Sequence, residues 1–386
     1  MEANNFQSLN QAGDTLLKNI IEGSNSDENI LISSLSIATA FSMLTEGLDT
    51  QSQAKLSQFF GFDTQEGISQ ASLQKIFKIF SVEKKETFLG KVSNIFSKKN
   101  KNEDNGAIFN LANSLWTNKN LGLAIKDNFK NQVQKKYKAL LSEVNPNDGA
   151  AIINNWIEEQ TNNKIKNCID NLDGNFLMIL VNAVYFKGSW AKKFDKKQTT
   201  SQDFYLTPES SKRVDFMKGK IKVGYLKQEA ATYISMSYQG TSIKFVIGLP
   251  DNHGNFDSIS LEAVDNVIKK QEIEVKLTIP KFKIEFKTQL QSILASNGLD
   301  FLFSPGEHFR NITDEKNAAI NSIIHQTFLQ VDEEGTEAAG ATAIMMVKMC
   351  LPMIPEFVAN RPFKFFIVDG DNGMIIFSGI LQDPNF

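Results

Sequence analysis

The alternation of apolar and polar positions divides the chain into a helical first part and a strand-rich remainder. Residues 10–21 and 36–45 carry apolar side chains at three- and four-residue spacing, which is typical of amphipathic helices, and Gly47 gives the second segment a stop signal. Residues 150–169 predict another helix, because a single stripe along it is apolar. The stripe consists of Ile152, Ile153, Trp156 and Ile157. We therefore expect helices early in the chain.

Strands dominate the second half. Residues 176–186 are almost continuously apolar, as expected for a strand that is buried on both faces. In residues 276–286 the alternation changes phase at Pro280, which predicts a bend or bulge within one long strand. Residues 363–368 and 374–380 flank the turn sequence DGDNG, and this arrangement predicts a C-terminal hairpin.

Residues 332–343 (DEEGTEAAGATA) follow a strand-competent run at residues 323–331. In an extended conformation successive side chains point to opposite faces. One face would then carry only small or apolar groups, namely Thr336, Ala338, Gly340, Thr342 and Ile344. The other face would carry Glu337, Ala339, Ala341 and Ala343. Such a segment fits into the middle of a sheet, although a helix that starts at Thr336 and continues through the alanines is the other interpretation.

Residues 344–355 (IMMVKMCLPMIP) are apolar, with one charge and two prolines. They have no amphipathic period, and the prolines suit neither a helix interior nor a central strand. A long apolar segment after a strand-competent one favours an exposed loop, offered to a partner that binds extended peptides.

The sequence EEGTEAAGAT at residues 333–342 resembles the hinge of inhibitory serpins, and further motifs of that family follow the same order along the chain. They lie at residues 29–56, 180–195, 277–286, 357–366 and 375–384. The resemblance implies an α+β serpin fold with three β-sheets, eight to nine helices and an exposed reactive-centre loop at about residues 333–355. It also implies a single domain over residues 1–386, and no linker-like stretch interrupts the sequence.

Composition narrows the classes of partner. The net charge of −3 over 386 residues favours neither nucleic acid nor an anionic membrane as a partner. Residues 1–20 lack the pattern of a signal peptide, as in the intracellular ovalbumin-like serpins, so the compartment is either the cytoplasm or the exterior by another route. Two cysteines, Cys168 and Cys350, form no disulfide framework.

A basic run at residues 98–101 invites comparison with the glycosaminoglycan sites of some serpins. Lys98, Lys99 and Lys101 are diluted by Glu103 and Asp104 in a polar segment without periodicity. A solvated loop is the favoured interpretation, and a glycosaminoglycan partner is not expected.

Catalytic equipment is almost absent from the sequence, which contains no nucleophile elbow, phosphate-binding loop, zinc motif or paired cysteines. We expect no metal and no cofactor. His253 and His308 occur in loop-like surroundings, so His325 is the one candidate for a general base. A hydrolase centred on His325 is an alternative of a different class, but a histidine on an apolar strand face is typical of a core residue.

The resemblance assigns His325 to a gate beneath the main sheet. This gate, the shutter, comprises Ser33, Ser36, Asn182 and His325. A second cluster, the breach, is where the loop first enters the sheet, and it comprises Trp190, Lys281 and Glu333, with Lys281 and Glu333 expected to pair. The hinge comprises Glu333, Glu334, Gly335, Thr336, Glu337, Ala338, Ala339, Gly340, Ala341 and Thr342.

The resemblance also implies a scissile bond. Counting to the seventeenth residue from Glu333 gives Met349, with Cys350 on the leaving side. Methionine suits a chymotrypsin-like, elastase-like or cathepsin G-like protease. The chain is about two residues longer than usual after this point, so Lys348, which would attract trypsin-like enzymes, and Leu351 remain alternatives.

The function implied is suicide inhibition of a serine protease through a covalent acyl-enzyme, by a monomer that is also able to form loop–sheet polymers. Inhibition of a papain-like cysteine protease and a non-inhibitory role are the alternatives within the family. The small residues of the hinge favour an inhibitor.

Overall fold

The computed structural model describes residues 6–25, 27–80, 107–336 and 354–386. Eight helices lie in these ranges: α1 Gln7–Gly23, α2 Ser34–Thr45, α3 Thr50–Phe60, α4 Gln70–Phe80, α5 Asp127–Lys135, α6 Pro146–Gln160, α7 Leu261–Ile268 and α8 Gln291–Leu294. In these ranges no helix is both long and apolar enough to cross a membrane.

Fifteen strands lie in the same ranges. The first seven are β1 Ile30–Ile32, β2 Ile108–Asn118, β3 Leu140–Val144, β4 Met178–Ser189, β5 Thr200–Thr207, β6 Ser210–Lys227 and β7 Ala231–Ser237. The others are β8 Ile243–Pro250, β9 Ile273–Pro280, β10 Phe282–Gln289, β11 Ile320–Val331, β12 Gly335–Thr336, β13 Glu356–Val358, β14 Phe363–Asp369 and β15 Ile375–Leu381.

The strands form three sheets, two of which share the long strand β6. The main sheet has the order β10-β11-β4-β2-β3, with the short β12 added to β4. The second sheet runs β1-β15-β14-β8-β7-β6, and it contains the predicted C-terminal hairpin, β14 and β15. The third is built from β5, β6, β9 and β13. An α+β fold with three sheets and eight helices is thereby confirmed.

The main sheet is covered on both faces. Leu180, Val184 and Phe186 of β4 belong to the large core, into which α2 is completely buried. The alternate residues Val181 and Ala183 pack in the layer under α6. This double burial is why β4 needs an apolar residue at almost every position, as its sequence predicted.

The predicted helix over residues 150–169 is too long, because α6 ends at Gln160. Asn162 and Asn163 adopt left-handed backbone angles, with φ of 51° and 58°. Asparagine tolerates this conformation better than most residues, so these two positions turn the chain out of the helix. Ile152, which was assigned to the apolar stripe, is 44% exposed.

The single bent strand predicted over residues 276–286 is also wrong. β9 ends at Pro280 in the third sheet and β10 begins at Phe282 in the main sheet. The change of phase therefore marks a passage between sheets. Lys281 is the linking residue, and its backbone N–H donates to the carbonyl of Asp215 at 2.8 Å. This position holds its side chain at the upper end of the main sheet.

Candidate functional site between two parallel strands

The two central strands of the main sheet, β4 and β11, run parallel and are direct neighbours. Their pairing extends from Met178 opposite Ile320 to Tyr185 opposite Phe328 and then stops. Beyond that point the last residues of β4 pair with β12, which is antiparallel to it. The beginning of the hinge therefore occupies the place beside β4 that β11 leaves free.

A tight turn brings the hinge to this place. The backbones of Asp332 and Gly335 exchange hydrogen bonds of 2.9 and 3.2 Å. Gly335 has a φ of 144°, and a Cβ there would lie 2.2 Å from the carbonyl oxygen of Gly188 and 2.7 Å from the Cα of Ser189. Only glycine fits this close approach, which explains its place in the hinge sequence.

Thr336 is completely buried at the inner end of the seated hinge. Its Oγ1 lies 2.8 Å from the hydroxyl oxygen of Tyr238, and the Tyr238 ring stacks on Trp190 with 4.7 Å between ring centroids. Burial raises the pKa of the Tyr238 phenol, so the hydroxyl stays protonated and the hydrogen bond persists at any ordinary pH. Tyr238 was missed by sequence reasoning, since it follows β7 and no spacing connects it with residue 336.

Trp190 holds the backbone of the hinge turn from below. Its indole Nε1–H donates to the carbonyl of Asp332 at 2.9 Å, and its backbone N–H donates to the carbonyl of Glu334 at 3.0 Å. The side chain is 1% exposed. Trp190 thus fixes the turn that begins the hinge through two donors.

Lys281 and Glu333, which were expected to pair, lie in contact: Lys281 Nζ is 3.2 Å from Glu333 Oε2. Thr199 Oγ1, a partner not found from the sequence, donates to Glu333 Oε1 at 2.7 Å. Burial raises the pKa of Glu333, but the hydrogen bonds from Thr199 and the backbone together with the charge of Lys281 outweigh it and hold this pKa below its usual value. Lys281 also lies over the ring of Phe386, 4.2 Å from its centroid.

The next hinge residue, Glu334, is paired as well. Its carboxylate lies 3.2 Å from Lys193 Nζ and 3.1 Å from Lys196 Nζ, and its side chain is 5% exposed. The pKa of the Lys196 amine is raised, mainly by its hydrogen bond to Glu334 and also by the charge of that carboxylate. Two consecutive hinge carboxylates are therefore held by three lysines at the upper end of the sheet.

The shutter lies deeper, where β4 and β11 are paired. Asn182 and His325 are opposite each other in the register, and His325 Nδ1 lies 2.6 Å from Asn182 Oδ1. The backbone N–H of Ser33 donates to His325 Nε2 at 3.1 Å. Because Nε2 accepts, the proton of the neutral ring is on Nδ1 and is donated to Asn182.

Ser36 extends this network to α2. Its hydroxyl donates to Asn182 Oδ1 at 2.8 Å, and Asn182 Nδ2 donates to the carbonyl of Ser36 at 3.2 Å. Asn182 Nδ2 also donates to Asn113 Oδ1 on β2. Asn113, which sequence reasoning missed, carries the network across a third strand; β2 contains three asparagines, and nothing in its sequence singles out this one.

The environment of His325 is unsuited to acid–base catalysis. Complete burial lowers its pKa to about 3, so the ring is neutral at ordinary pH. Both ring nitrogens are already engaged, and the Ser33 hydroxyl donates to the carbonyl of Ile376 at 2.8 Å rather than to the histidine. This geometry gives a hydrolase no activated nucleophile.

Several residues named from the sequence lie outside the described ranges. They are Glu337, Ala338, Ala339, Gly340, Ala341, Thr342, Lys348, Met349, Cys350, Leu351, Lys98, Lys99, Lys101, Glu103 and Asp104. Within the described ranges no three histidine, cysteine or acidic side chains come together as metal ligands. The Cys168 thiol is buried, which raises its pKa to about 12.

A sequence model of the serpin (serine protease inhibitor) family matches residues 7–384, so the chain belongs to the serpin family. It is 32% identical over 375 residues to an uncharacterised serpin-like protein of Methanosarcina acetivorans, covering 93% of this chain and 82% of that protein. It is 31% identical over 388 residues to the leukocyte elastase inhibitor of Xenopus laevis, covering 96% of each.

Solved structures show the same fold. An Arabidopsis serpin in its native stressed conformation superposes with a TM-score of 0.83 and 25% identity, covering 100% of this chain and 99% of that one. Human thyroxine-binding globulin, complexed with its ligand, superposes with a TM-score of 0.84 and 23% identity over the full length of both chains. The family is described as one of serine protease inhibitors rather than enzymes. Uncleaved ovalbumin superposes with a TM-score of 0.82 and 21% identity, covering 98% of this chain and 100% of that one, and this likeness is one of fold alone.

Proposed function

We propose that this serpin traps a serine protease as a suicide substrate and inserts its cleaved loop between β4 and β11. The observation that carries the proposal is the seated hinge, because Gly335 and Thr336 are already paired with Ser189 and Gly188 at the open end of the two strands. The first step of insertion is therefore present before any cleavage.

The chemistry begins when the protease serine attacks the carbonyl of Met349. The peptide bond breaks, the amine of Cys350 leaves with the C-terminal part of the chain, and the acyl group stays on the protease. The freed hinge then extends β12 before water releases the acyl-enzyme. Each new ladder hydrogen bond contributes about 1 kcal/mol, so insertion over the length of β4 is strongly favourable.

The register of β12 tells where each inserted residue would go. Thr336 lies opposite Gly188, and the same antiparallel register without a shift brings residue 342 opposite Asn182 of the shutter. Ala338, Gly340 and Thr342 share the parity of Thr336, whose side chain points into the large core beside Tyr238. Insertion thus passes through the shutter with small side chains on the crowded face.

The residue just before the scissile bond, called the bait residue here, sets the class of protease. Met349 in this position favours a chymotrypsin-like, elastase-like or cathepsin G-like target. The leukocyte elastase inhibitors of Xenopus laevis and Sus scrofa are relatives with names that agree with this class. Lys348 as the bait would redirect the inhibitor to trypsin-like enzymes, and Leu351 would keep the apolar class.

The experiment that tests the proposal is incubation with chymotrypsin, cathepsin G, elastase and trypsin, followed by a denaturing gel and mass spectrometry of the released peptide. A gel-stable complex with a peptide that begins at Cys350 is the expected result. A peptide beginning at Met349 or Pro352 would move the bait to Lys348 or Leu351. Cleavage without any complex would contradict inhibition by these proteases and favour a non-inhibitory role.

Thr336→Arg tests the insertion step. The position is fully buried, so an arginine there has to be desolvated beside Tyr238 and delays insertion. We expect the variant to be cleaved at the same bond and to release active protease, which turns the inhibitor into a substrate. Thr200→Arg, the same change at an exposed position of β5, is the control and should trap fully. Full trapping by Thr336→Arg would contradict insertion.

A further inference from the structure

Five lysines lie together on the outer side of the third sheet and beside it. This lysine patch consists of Lys192, Lys218, Lys220, Lys222 and Lys276. Lys220 on β6 is directly opposite Lys276 on β9, and Lys192 Nζ donates to the carbonyl of Lys220 at 2.8 Å. Two glutamates face the patch in the cross-strand register: Glu274 is opposite Lys222, and Glu356 of β13 is opposite Lys276.

The fold gains nothing from the Lys220–Lys276 pair at the centre of the patch. Like charges directly opposite each other on neighbouring strands are destabilising. The four strand lysines of the patch form no ion pair within the described residues. The chain as a whole has a net charge of −3, so the patch does not simply reflect a basic composition. A local concentration of unpaired cations in an acidic protein points to an external partner.

The patch borders both anchors of the bait segment. Lys276 N–H donates to the carbonyl of Pro355 at 2.9 Å, and Lys276 is opposite Glu356, where the chain rejoins the fold after the bait. Lys192 lies two residues after Trp190, which holds the carbonyl of Glu334 at the other anchor. Met349 is six residues before Pro355, at most about 20 Å of extended chain, so a protease that binds the bond after Met349 approaches this side of the molecule.

We propose that the lysine patch is a second docking surface for the target protease, and that it selects enzymes with an acidic surface beside the active-site cleft. The inference rests on the proposed inhibitory function and adds to it a determinant of specificity outside the bait. Complementary charge of this kind accelerates encounter, by about 10- to 1,000-fold at low ionic strength, and its effect declines as salt screens it.

A protein partner fits the patch better than a polyanionic chain. Glu274 lies on β9 among the lysines of the patch. Glu272, which accepts a hydrogen bond from Ser237, lies just before the first residue of β9. A linear polyanion would be repelled at this edge, whereas a protein surface is able to place a lysine or arginine there. Lys192 and Lys222 line one pocket together with Glu272 and Glu274, so cations and carboxylates lie side by side at this edge.

The test compares two forms of one protease, unmodified chymotrypsin and chymotrypsin with succinylated lysines. Both are calibrated by active-site titration. The double variant Lys218→Glu/Lys220→Glu reverses two charges of the patch and leaves Lys276 in place; it turns the Lys220–Lys276 pair into one of opposite charge, so stability should not fall. Lys75→Glu/Lys78→Glu is the control, with the same change of net charge on exposed lysines of α4, which packs against β2.

With wild type, we expect the association rate with succinylated chymotrypsin to be about tenfold higher at low salt than at high salt. The patch variant should lose most of this advantage, and the α4 variant should keep most of it. Equal losses in the two variants, or no loss in the patch variant, would overturn the inference. An effect of the patch only in the presence of heparin would overturn it in favour of a polyanion. A wild type that forms no complex with either enzyme would instead contradict the proposed function.

Discussion

The breach lies at the end of the gap between β4 and β11 and the shutter lies along it, and the two are held closed by different interactions. At the breach, the Glu333 carboxylate is paired with Lys281, and the neighbouring hinge residue Glu334 is paired with Lys193 and Lys196. At the shutter, His325 and Asn182 are neutral, almost completely buried and connected only by hydrogen bonds. The closure of the gap between β4 and β11 depends on ion pairs at its end and on buried hydrogen bonds between neutral groups in its middle.

Two pKa shifts express this difference. Burial acts on both groups. It lowers the pKa of His325 to about 3, and at Glu333 it opposes the other contributions, which together hold the pKa below its usual value. At Glu333, Thr199, the backbone and Lys281 outweigh burial and keep the group charged, whereas at His325 the hydrogen bond with Asn182 raises the pKa by less than burial lowers it, and the ring stays neutral. We infer that a change of charge opens the gap at the breach, whereas the shutter opens when its network of neutral hydrogen-bonded groups is broken or protonated.

The largest effect should come from Glu333→Lys, which breaks the breach. The change removes the partner of Lys281 and places a second ammonium group beside it, where the side chains are 5% and 17% exposed. We expect a loss of about 3 kcal/mol, the lower value for breaking a buried pair. The loosened sheet should accept the loop of another molecule, so native gels after mild heating should show polymers and protease trapping should fall.

Glu285→Lys is the matched control, since it makes the same change on β10 at an exposed pair with Lys283. Exposed pairs contribute roughly 0–1 kcal/mol, so this variant should remain monomeric and active. Equal heat stability and equal trapping in the Glu333→Lys variant would mean that the pair does not hold the sheet.

A smaller effect, dependent on pH, should isolate the shutter. The folded pKa of His325 is about 3 and its ordinary value is 6.5, so its neutral form contributes stability that is fully present above about pH 6.5 and is lost as the pH falls toward 3. The loss approaches about 1.4 kcal/mol per pH unit. Glu333 adds a loss only below its ordinary value of 4.5. Urea unfolding between pH 6.5 and 4.5 therefore measures the shutter.

His325→Gln should flatten this dependence, while His253→Gln, a half-buried control in a loop, should keep it. Asp332, whose pKa is raised by burial, is present in all three proteins, so the comparison between variants removes its contribution. If the pH dependence of the unfolding free energy survives in His325→Gln, the titrating group lies elsewhere and His325 does not hold the shutter closed.

How much of this was predictable depends on whether a contact is local. The double burial of β4 follows from its unbroken apolar sequence, and the glycine of the hinge follows from its family motif. The turn at Asn162 and Asn163 was missed, although asparagine pairs are a local signal for leaving a helix. The end of one strand at Pro280 and the start of another at Phe282 were mistaken for a bend, because a change of sheet and a bulge both shift the alternation.

The partners of the functional residues were beyond the sequence for a physical reason. Thr199, Tyr238 and Asn113 each meet their partner across segments that are far apart in the chain. Each is of a type that is common on surfaces and in turns, and only the packing of three sheets brings it to the gap. Periodicity assigns a residue to a face, but it does not say what lies opposite that face.

The smallest expected effect, from Tyr238→Phe, sharpens the comparison at the point where the two regions meet. The change removes only the hydroxyl that partners Thr336 Oγ1 at 2.8 Å and keeps the ring stacked on Trp190. The loss of one buried hydrogen bond should weaken the seated hinge by about 1 kcal/mol, because Thr336 is left without its partner. Protease trapping should survive, and hydrogen exchange at the backbone N–H of Thr336 should become several-fold faster.

Tyr233→Phe on β7 is the control. It removes a hydroxyl that bonds to Ser258 and Ser260, away from the hinge, and should leave the exchange at Thr336 unchanged. If both variants exchange alike, Tyr238 supports the second sheet and does not hold the hinge.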